Sequence, residues 1–224
     1  MTGFPRPKET YQVLSNENFT IEYMEKYHDQ AIVLLAAGSS SRMGTPKQML
    51  IVNGRTMLQQ AVNSAIASLI PNIIVVLGAN AEQHDEILKE RAVTTIVNKD
   101  WEKGMGSSLK TGLKKAISQY PTVQAIMVLV CDQPLLSSVH INKLASEYNQ
   151  TQPMAIASKY KGISGVPAIF DRSVFSSLMM LKDESGAREV LKKLERNLVT
   201  IPFDGGQIDL DTPEDYKNFI SGKI

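Results

Sequence analysis

Three apolar runs, "AIVLLAA" (31–37), "NIIVVLGA" (72–79) and "QAIMVLVC" (124–131), constrain this chain most. None alternates apolar with polar residues as a strand with one wet face does, so each reads as a strand buried on both sides. "VTTIV", "MAIAS", "VPAIF" and "LVTIPF" are shorter runs of the same character. Amphipathic segments separate them. In "TMLQQAVNSAIASLI" the residues Met57, Leu58, Ala61, Val62, Ala65, Ile66, Leu69 and Ile70 fall at helical spacing. "SSLKTGLKKAISQY", "SSVHINKLASEYNQ", "SGAREVLKKLER" and "TPEDYKNFI" also read as helices. Doubly buried strands alternating with helices predict an α/β fold, with a mostly parallel central sheet flanked by helices on both faces.

Length and charge narrow the function. With 224 residues the chain has room for one well-cored domain. A net charge of +1 gives no basic surface for nucleic acid or an anionic membrane. Cys131 is the only cysteine, which excludes an intrachain disulfide and a multi-cysteine metal site. No apolar stretch nears the roughly 20 residues of a membrane span. The first 30 residues carry acidic side chains and no apolar core, unlike a secretory signal, so a cytoplasmic protein is expected. Residues 1–28 lack periodicity and read as an N-terminal arm, ordered or flexible, or as an overlong reading frame before Met24. Residues 29–224 read as a single domain. His28, His84 and His140 form no ligand-spaced pair.

The first strand leaves through "GSSSRMGTPK". Five residues separate Gly38 from Gly44, and Lys47 lacks the Ser/Thr neighbour of a P-loop lysine, so G-x-x-x-x-G-K-[ST] does not fit. The dinucleotide fingerprint G-x-G-x-x-G fails here too, and in "GMGSSL" Leu109 stands where the third glycine belongs. What remains is a glycine–serine loop whose backbone N–H groups can approach a phosphate. Arg42 can fork onto two phosphate oxygens, and Lys47 can act as a point charge. Asp132 falls at the C-terminal end of a buried strand, where ligands of open α/β sheets gather. Asp209 and Asp211 in "IDLDTPEDY" share a face if extended, although Asp211 or Thr212 before Pro213 equally suits a helix N-cap.

These pieces resemble a known family. "LLAAGSSSRMGTPKQML" resembles the LAAGxSxRMGxxK signature of MobA-like NTP transferases. "LGAN", "WEKGMGSSLKTGL", "VCDQPLL", "GVPAIF", "FSSLMMLKDESGAREVL" and "IDLDTPEDY" follow in the order of its molybdenum cofactor cytidylyltransferase branch, over about residues 30 to 220. The resemblance implies a Rossmann-like fold of the nucleotide-diphospho-sugar transferase type, and Mg²⁺-dependent transfer of CMP from CTP to molybdopterin with release of pyrophosphate. It puts the nucleotide on Leu35, Ala36, Ala37, Gly38, Ser39, Ser40, Ser41, Arg42, Lys47 and Gly78, with Arg42, Lys47 and Asp132 as catalytic groups. It assigns the metal to Asp132 and Asp211, with Asp209 as a further candidate, and the acceptor to Gly104, Gly106, Ser107, Ser108, Gly165, Pro167 and Arg188. A recipient molybdoenzyme is an implied partner.

Two residues bear on specificity. The guanylyltransferase branch typically reads LAGG where this chain has Leu35-Ala36-Ala37-Gly38, and the extra methyl disfavours a purine by at most about 1–3 kcal/mol. Cys131 replaces the family's usual glycine and reads as an inert strand-end thiol. The alternatives are GMP transfer to the same acceptor, NTP transfer to another phosphorylated small molecule, or a non-catalytic molybdenum cofactor chaperone.

Overall fold

The computed structural model describes residues 26–40 and 43–223. Its seven-stranded sheet has the order β5-β4-β1-β6-β8-β7-β9. The strands are β1 (Gln30–Ala36), β4 (Asn72–Leu77), β5 (Thr94–Val97), β6 (Ala125–Val130), β7 (Ala155–Tyr160), β8 (Ile163–Asp171) and β9 (Leu198–Pro202). A two-stranded ribbon, β2 (Ile51–Val52) with β3 (Arg55–Thr56), stands apart. β1 is buried throughout and pairs in parallel with β4 on one side and β6 on the other, as its unbroken apolar run requires. The sheet is mostly parallel; β8 alone runs against its neighbours β6 and β7.

The longer helices match the amphipathic segments: α1 (Met57–Ile66), α3 (Met105–Gln119), α4 (Ser138–Thr151), the shorter α6 (Arg188–Lys193) and α7 (Pro213–Ile220). The short helices α2 (Ala81–Glu86) and α5 (Phe175–Met179) complete the set. Alternate residues of β1 serve two cores. Ile32 and Leu34 join Leu58 and Val62 of α1 and Ile141 and Leu144 of α4. Ala31, Val33 and Leu35 join Leu109 and Leu113 of α3 and Leu178 of α5. Tyr27 is buried, and its hydroxyl bonds Ser146 of α4 at 3.1 Å. Among the described residues no helix is long and apolar enough to cross a membrane.

A third, smaller core positions the site. Met43, Leu50 and Val52 from the first loop and ribbon, with Met57 at the start of α1, enclose Leu210, which is fully buried, and pack on Tyr216 and Phe219 of α7. The Tyr216 hydroxyl donates to the Ile51 carbonyl at 2.7 Å. Burying a leucine contributes about 1.5–3 kcal/mol, enough to hold the C-terminal segment against the loop that follows β1.

Candidate active site

Because β1 and β6 are parallel neighbours with Leu35 opposite Val130, the loops leaving their C-terminal ends emerge side by side. Between them opens a cleft of about 430 Å³. Leu35, Ala36, Ala37, Gly38, Ser39 and Ser40 form one wall; Val130, Cys131 and Asp132 another. Trp101, Glu102, Gly104, Met105 and Ser108 close it from the start of α3, and Lys47, Gln48 and Asp211 complete it. Ser41 and Arg42 lie outside the described residues.

Gln48 shapes the loop. It is 2% exposed, and its amide donates to the carbonyls of Ala36 (3.2 Å) and Gly38 (2.8 Å) while its oxygen accepts from the Ser40 hydroxyl (3.2 Å). The Ser40 hydroxyl also accepts from the Lys47 backbone amide at 2.9 Å. One buried side chain thereby ties the glycine–serine segment to the strand end and fixes where Lys47 begins.

The Lys47 ammonium donates to Asp211 and lies 3.7 Å from Asp132. Burial pulls its pKa down, but the Asp211 bond and the charges of Asp132 and Asp211 outweigh that and hold it above the ordinary value. Asp132 is raised, chiefly by lost hydration, with Lys47 opposing. The Asp209 carboxyl, open to solvent on one side, is raised to about 6, by lost hydration first and by Asp132 and Asp211 next. Among the described residues, the Lys47 ammonium thus meets the carboxylates of Asp132 and Asp211, with Asp209 near enough to feel both. Among the described residues no three histidine, cysteine, aspartate or glutamate side chains group tightly enough to enclose a metal. Two carboxylates shared with substrate phosphates is nonetheless a common way to hold a divalent ion of the Mg²⁺ type, so Asp132 and Asp211 fit one. Asp211 is available because Thr212 caps α7, in a reciprocal capping box with Asp215. Burial pushes the Cys131 thiol up, as expected for an inert strand-end cysteine.

The remaining expected residues divide between wall and scaffold. Gly104 and Ser108 line the cleft, while Gly106 and Ser107 do not. The amides of Gly106 (2.8 Å) and Ser107 (3.2 Å) donate to the Asp183 carbonyl, and the Ser107 hydroxyl donates to the Asp100 carbonyl. Asn98, which no sequence pattern marked, donates to both serine hydroxyls at 3.0 Å. Gly78 sits behind the wall: a Cβ there would come within 2.6 Å of the Ala37 carbonyl and of Trp101. Gly165 leaves room for the Tyr160 hydroxyl, and the Pro167 carbonyl accepts from Ser158 at 2.7 Å. Arg188 is exposed at the start of α6; with Asp209 and Asp132 it acts electrostatically on the Tyr160 phenol. Gln133, 4% exposed, clamps the carbonyls of Val166 and Gly206. Gly165 and Arg188 thus lie outside the lining of the cleft and relate to it through Tyr160, on which Asp132 also acts.

The profile of the MobA-like NTP transferase domain matches residues 32–198, most of the chain and nearly all of the cleft. The chain belongs to that family. Purine catabolism protein PucB of Bacillus subtilis is 33% identical over 82% of this chain and 92% of its own length. The molybdenum cofactor cytidylyltransferase of Escherichia coli is 27% identical over the same shares. Rv0371c of Mycobacterium tuberculosis superposes with a TM-score of 0.75 at 26% identity, covering 87% of this chain and 98% of that one; a second structure of it, with manganese, gives 0.70 at 24%. This MobA-like chain is therefore of the nucleotidyltransferase type, and a nucleoside triphosphate suits its cleft.

Proposed function

We propose that this MobA-like enzyme transfers CMP from CTP to molybdopterin carrying molybdenum, with Mg²⁺, and releases pyrophosphate. The observation that carries the reading is Lys47 held between Asp132 and Asp211 at the end of a cleft walled by the glycine–serine loop. An oxygen of the acceptor's phosphate attacks the α-phosphorus in line. The new O–P bond forms as the bond to the β-phosphate oxygen breaks, and the electron pair leaves with pyrophosphate. The acceptor supplies the nucleophile as a phosphate anion, so no protein base or nucleophile is required.

Catalysis then rests on positioning and charge. The backbone from Gly38 to Ser40 receives the triphosphate, and Lys47, on a flexible stem, turns from the carboxylates to the phosphates. Arg42 is proposed as a second cation there. Asp132 and Asp211 would hold Mg²⁺, which supplies charge neutralisation to the phosphates; the manganese-containing mycobacterial structure supports a divalent ion. Arg188 and Tyr160 would meet the acceptor. Likeness to the Escherichia coli cytidylyltransferase and the Ala37 methyl support cytosine and the pterin; the product would pass to a recipient molybdoenzyme.

The test is direct. The purified protein is incubated with Mg²⁺, molybdenum-loaded molybdopterin, and CTP, GTP or ATP separately, and the pterin product is identified by mass. A cytosine dinucleotide with CTP alone is expected. A guanine product overturns the base assignment, and no dinucleotide from a folded, CTP-binding sample overturns the acceptor.

A further inference from the structure

The start of α3 and the segment between α5 and α6 touch backbone to backbone. A Cβ on Gly104, whose φ is 122°, would lie 2.6 Å from the Asp183 carbonyl; one on Gly106 would lie 2.6 Å from the Ser185 carbonyl and nearer still to that of Lys182. Two glycines in "GMG" are what this approach requires. The Asp183 carbonyl takes the amides of Gly106 and Ser107, groups that a helix start leaves without partners, and the cap residue, Gly104, has no side chain to offer them. One turn further along, Lys110 closes the contact: its ammonium donates to the Leu181 carbonyl at 2.8 Å and pairs with the Asp183 carboxylate at 2.5 Å. Leu181 and Ala187 anchor both ends of the segment in the core. Arg188 follows immediately.

This contact joins the two halves of the site. Gly104, Met105 and Ser108 face the nucleotide cleft, while Arg188 acts on the acceptor side with Tyr160. We infer that Lys110 and Asp183 form a latch that sets Arg188 at a fixed distance from the nucleotide, so that Lys110 is a positioning residue for a phosphate-bearing acceptor. This rests on the acceptor reading above. The Lys110 ammonium is spent on the segment itself, binding a carbonyl and a carboxylate, rather than on substrate. Cutting it leaves the Asp183 carbonyl on α3 but frees the turn to move with Arg188, so the acceptor is affected before the nucleotide.

The test compares wild type, Lys110→Met and Lys110→Arg, measuring amide exchange over residues 181–194 and the KM of CTP and of molybdopterin. Lys110→Met is expected to speed exchange there and to raise the acceptor KM about five- to tenfold. The KM for CTP and kcat stay within about twofold, and Lys110→Arg restores the acceptor KM. Equal increases in both KM values, a fall confined to kcat, or unchanged exchange overturns the latch. Should wild type make no product from molybdopterin, the acceptor reading fails separately. The exchange comparison, run with Mg²⁺ and CTP, then decides: faster exchange confined to 181–194 sustains the latch, and unchanged or chain-wide faster exchange overturns it.

Discussion

The ammonium of Lys47 is hydrogen-bonded to the carboxylate of Asp211, joining the loop after the first strand to the residue before the cap of the last helix across 164 residues. Leu210, buried beside them, makes that union part of the core. Charge at the site is thereby coupled to packing, and the two can be separated by mutation.

Asp132→Ala removes a half-buried carboxylate whose charge is disfavoured by lost hydration and supported by Lys47. Fold stability is expected to change by less than about 1 kcal/mol, because the charge lost was poorly solvated and Lys47 keeps Asp211 as its partner. Turnover falls by at least about 10²-fold, the usual scale for losing one preorganised electrostatic group. Thermal unfolding and product formation are measured on one sample; wild-type-like turnover defeats the assignment.

Gly112 of α3 separates helix propensity from packing. Alanine at an interior helix position is normally favoured by about 1 kcal/mol. Here the added methyl would lie 2.8 Å from Val76 Cγ2 and closer still to Val33 Cγ1. Both valines are stiff at χ1 and lie in strands paired on both sides, so they have little room to yield. Overpacking costs about 1–3 kcal/mol and wins. Gly112→Ala should lower the denaturant midpoint; a higher midpoint would show that α3 can shift off the sheet.

What was legible in the sequence follows from which forces are local. Met57, Leu58, Ala61, Val62 and Ala65 announce α1 because a helix turns at fixed periodicity, and all five are buried. The loop from Gly38 and the acid at Asp132 could be read because both follow unbroken apolar strands. Strand direction was less visible. β8 reverses because Lys161 and Gly162 both take positive φ, as a tight two-residue hairpin demands, and a lysine advertises that conformation poorly. Gln48, Asn98 and Gln133 were missed for another reason. Each acts by bonding backbone or hydroxyl groups brought close only by the fold, and no spacing encodes that. The choice between Asp211 and Thr212 as cap was open in the sequence and is resolved by the bond from the Asp215 amide to the Thr212 hydroxyl.

His140 makes stability depend on pH. Its Nε2 lies 2.7 Å from the Ser158 hydroxyl, which itself donates to Pro167, and its ring stacks on Phe203 at 4.2 Å. Burial, with Lys143 nearby, lowers its pKa to about 4. The unfolded chain protonates near 6.5, so the unfolded state binds the extra proton first as pH falls. The neutral histidine's contribution is therefore complete above about pH 6.5 and lost progressively down to about 4, on the order of 3 kcal/mol at most. His84, fully buried and also lowered by burial, acts in the same direction. Comparing pH 7 with pH 4.5, His140→Gln should lose less stability than wild type; equal losses would remove His140 from the account.

Ala37 and Gly78 bear on the choice of base. Ala37 lines the cleft yet is only 5% exposed, and a Cβ on Gly78 would lie 2.8 Å from its methyl. The glycine behind is thus what allows a methyl in front. Removing that methyl opens little volume, so the effect belongs at the lower end of the 1–3 kcal/mol that one methylene discriminates. Ala37→Gly should reduce the preference for CTP over GTP about fivefold in kcat/KM, mainly by improving GTP. Trp101, the only tryptophan and a cleft residue, gives an independent reading through its fluorescence on titration with each nucleotide. If GTP remains as poor a substrate while Trp101 responds to it normally, the purine enters the cleft and is rejected elsewhere, and the methyl has no part in selecting the base.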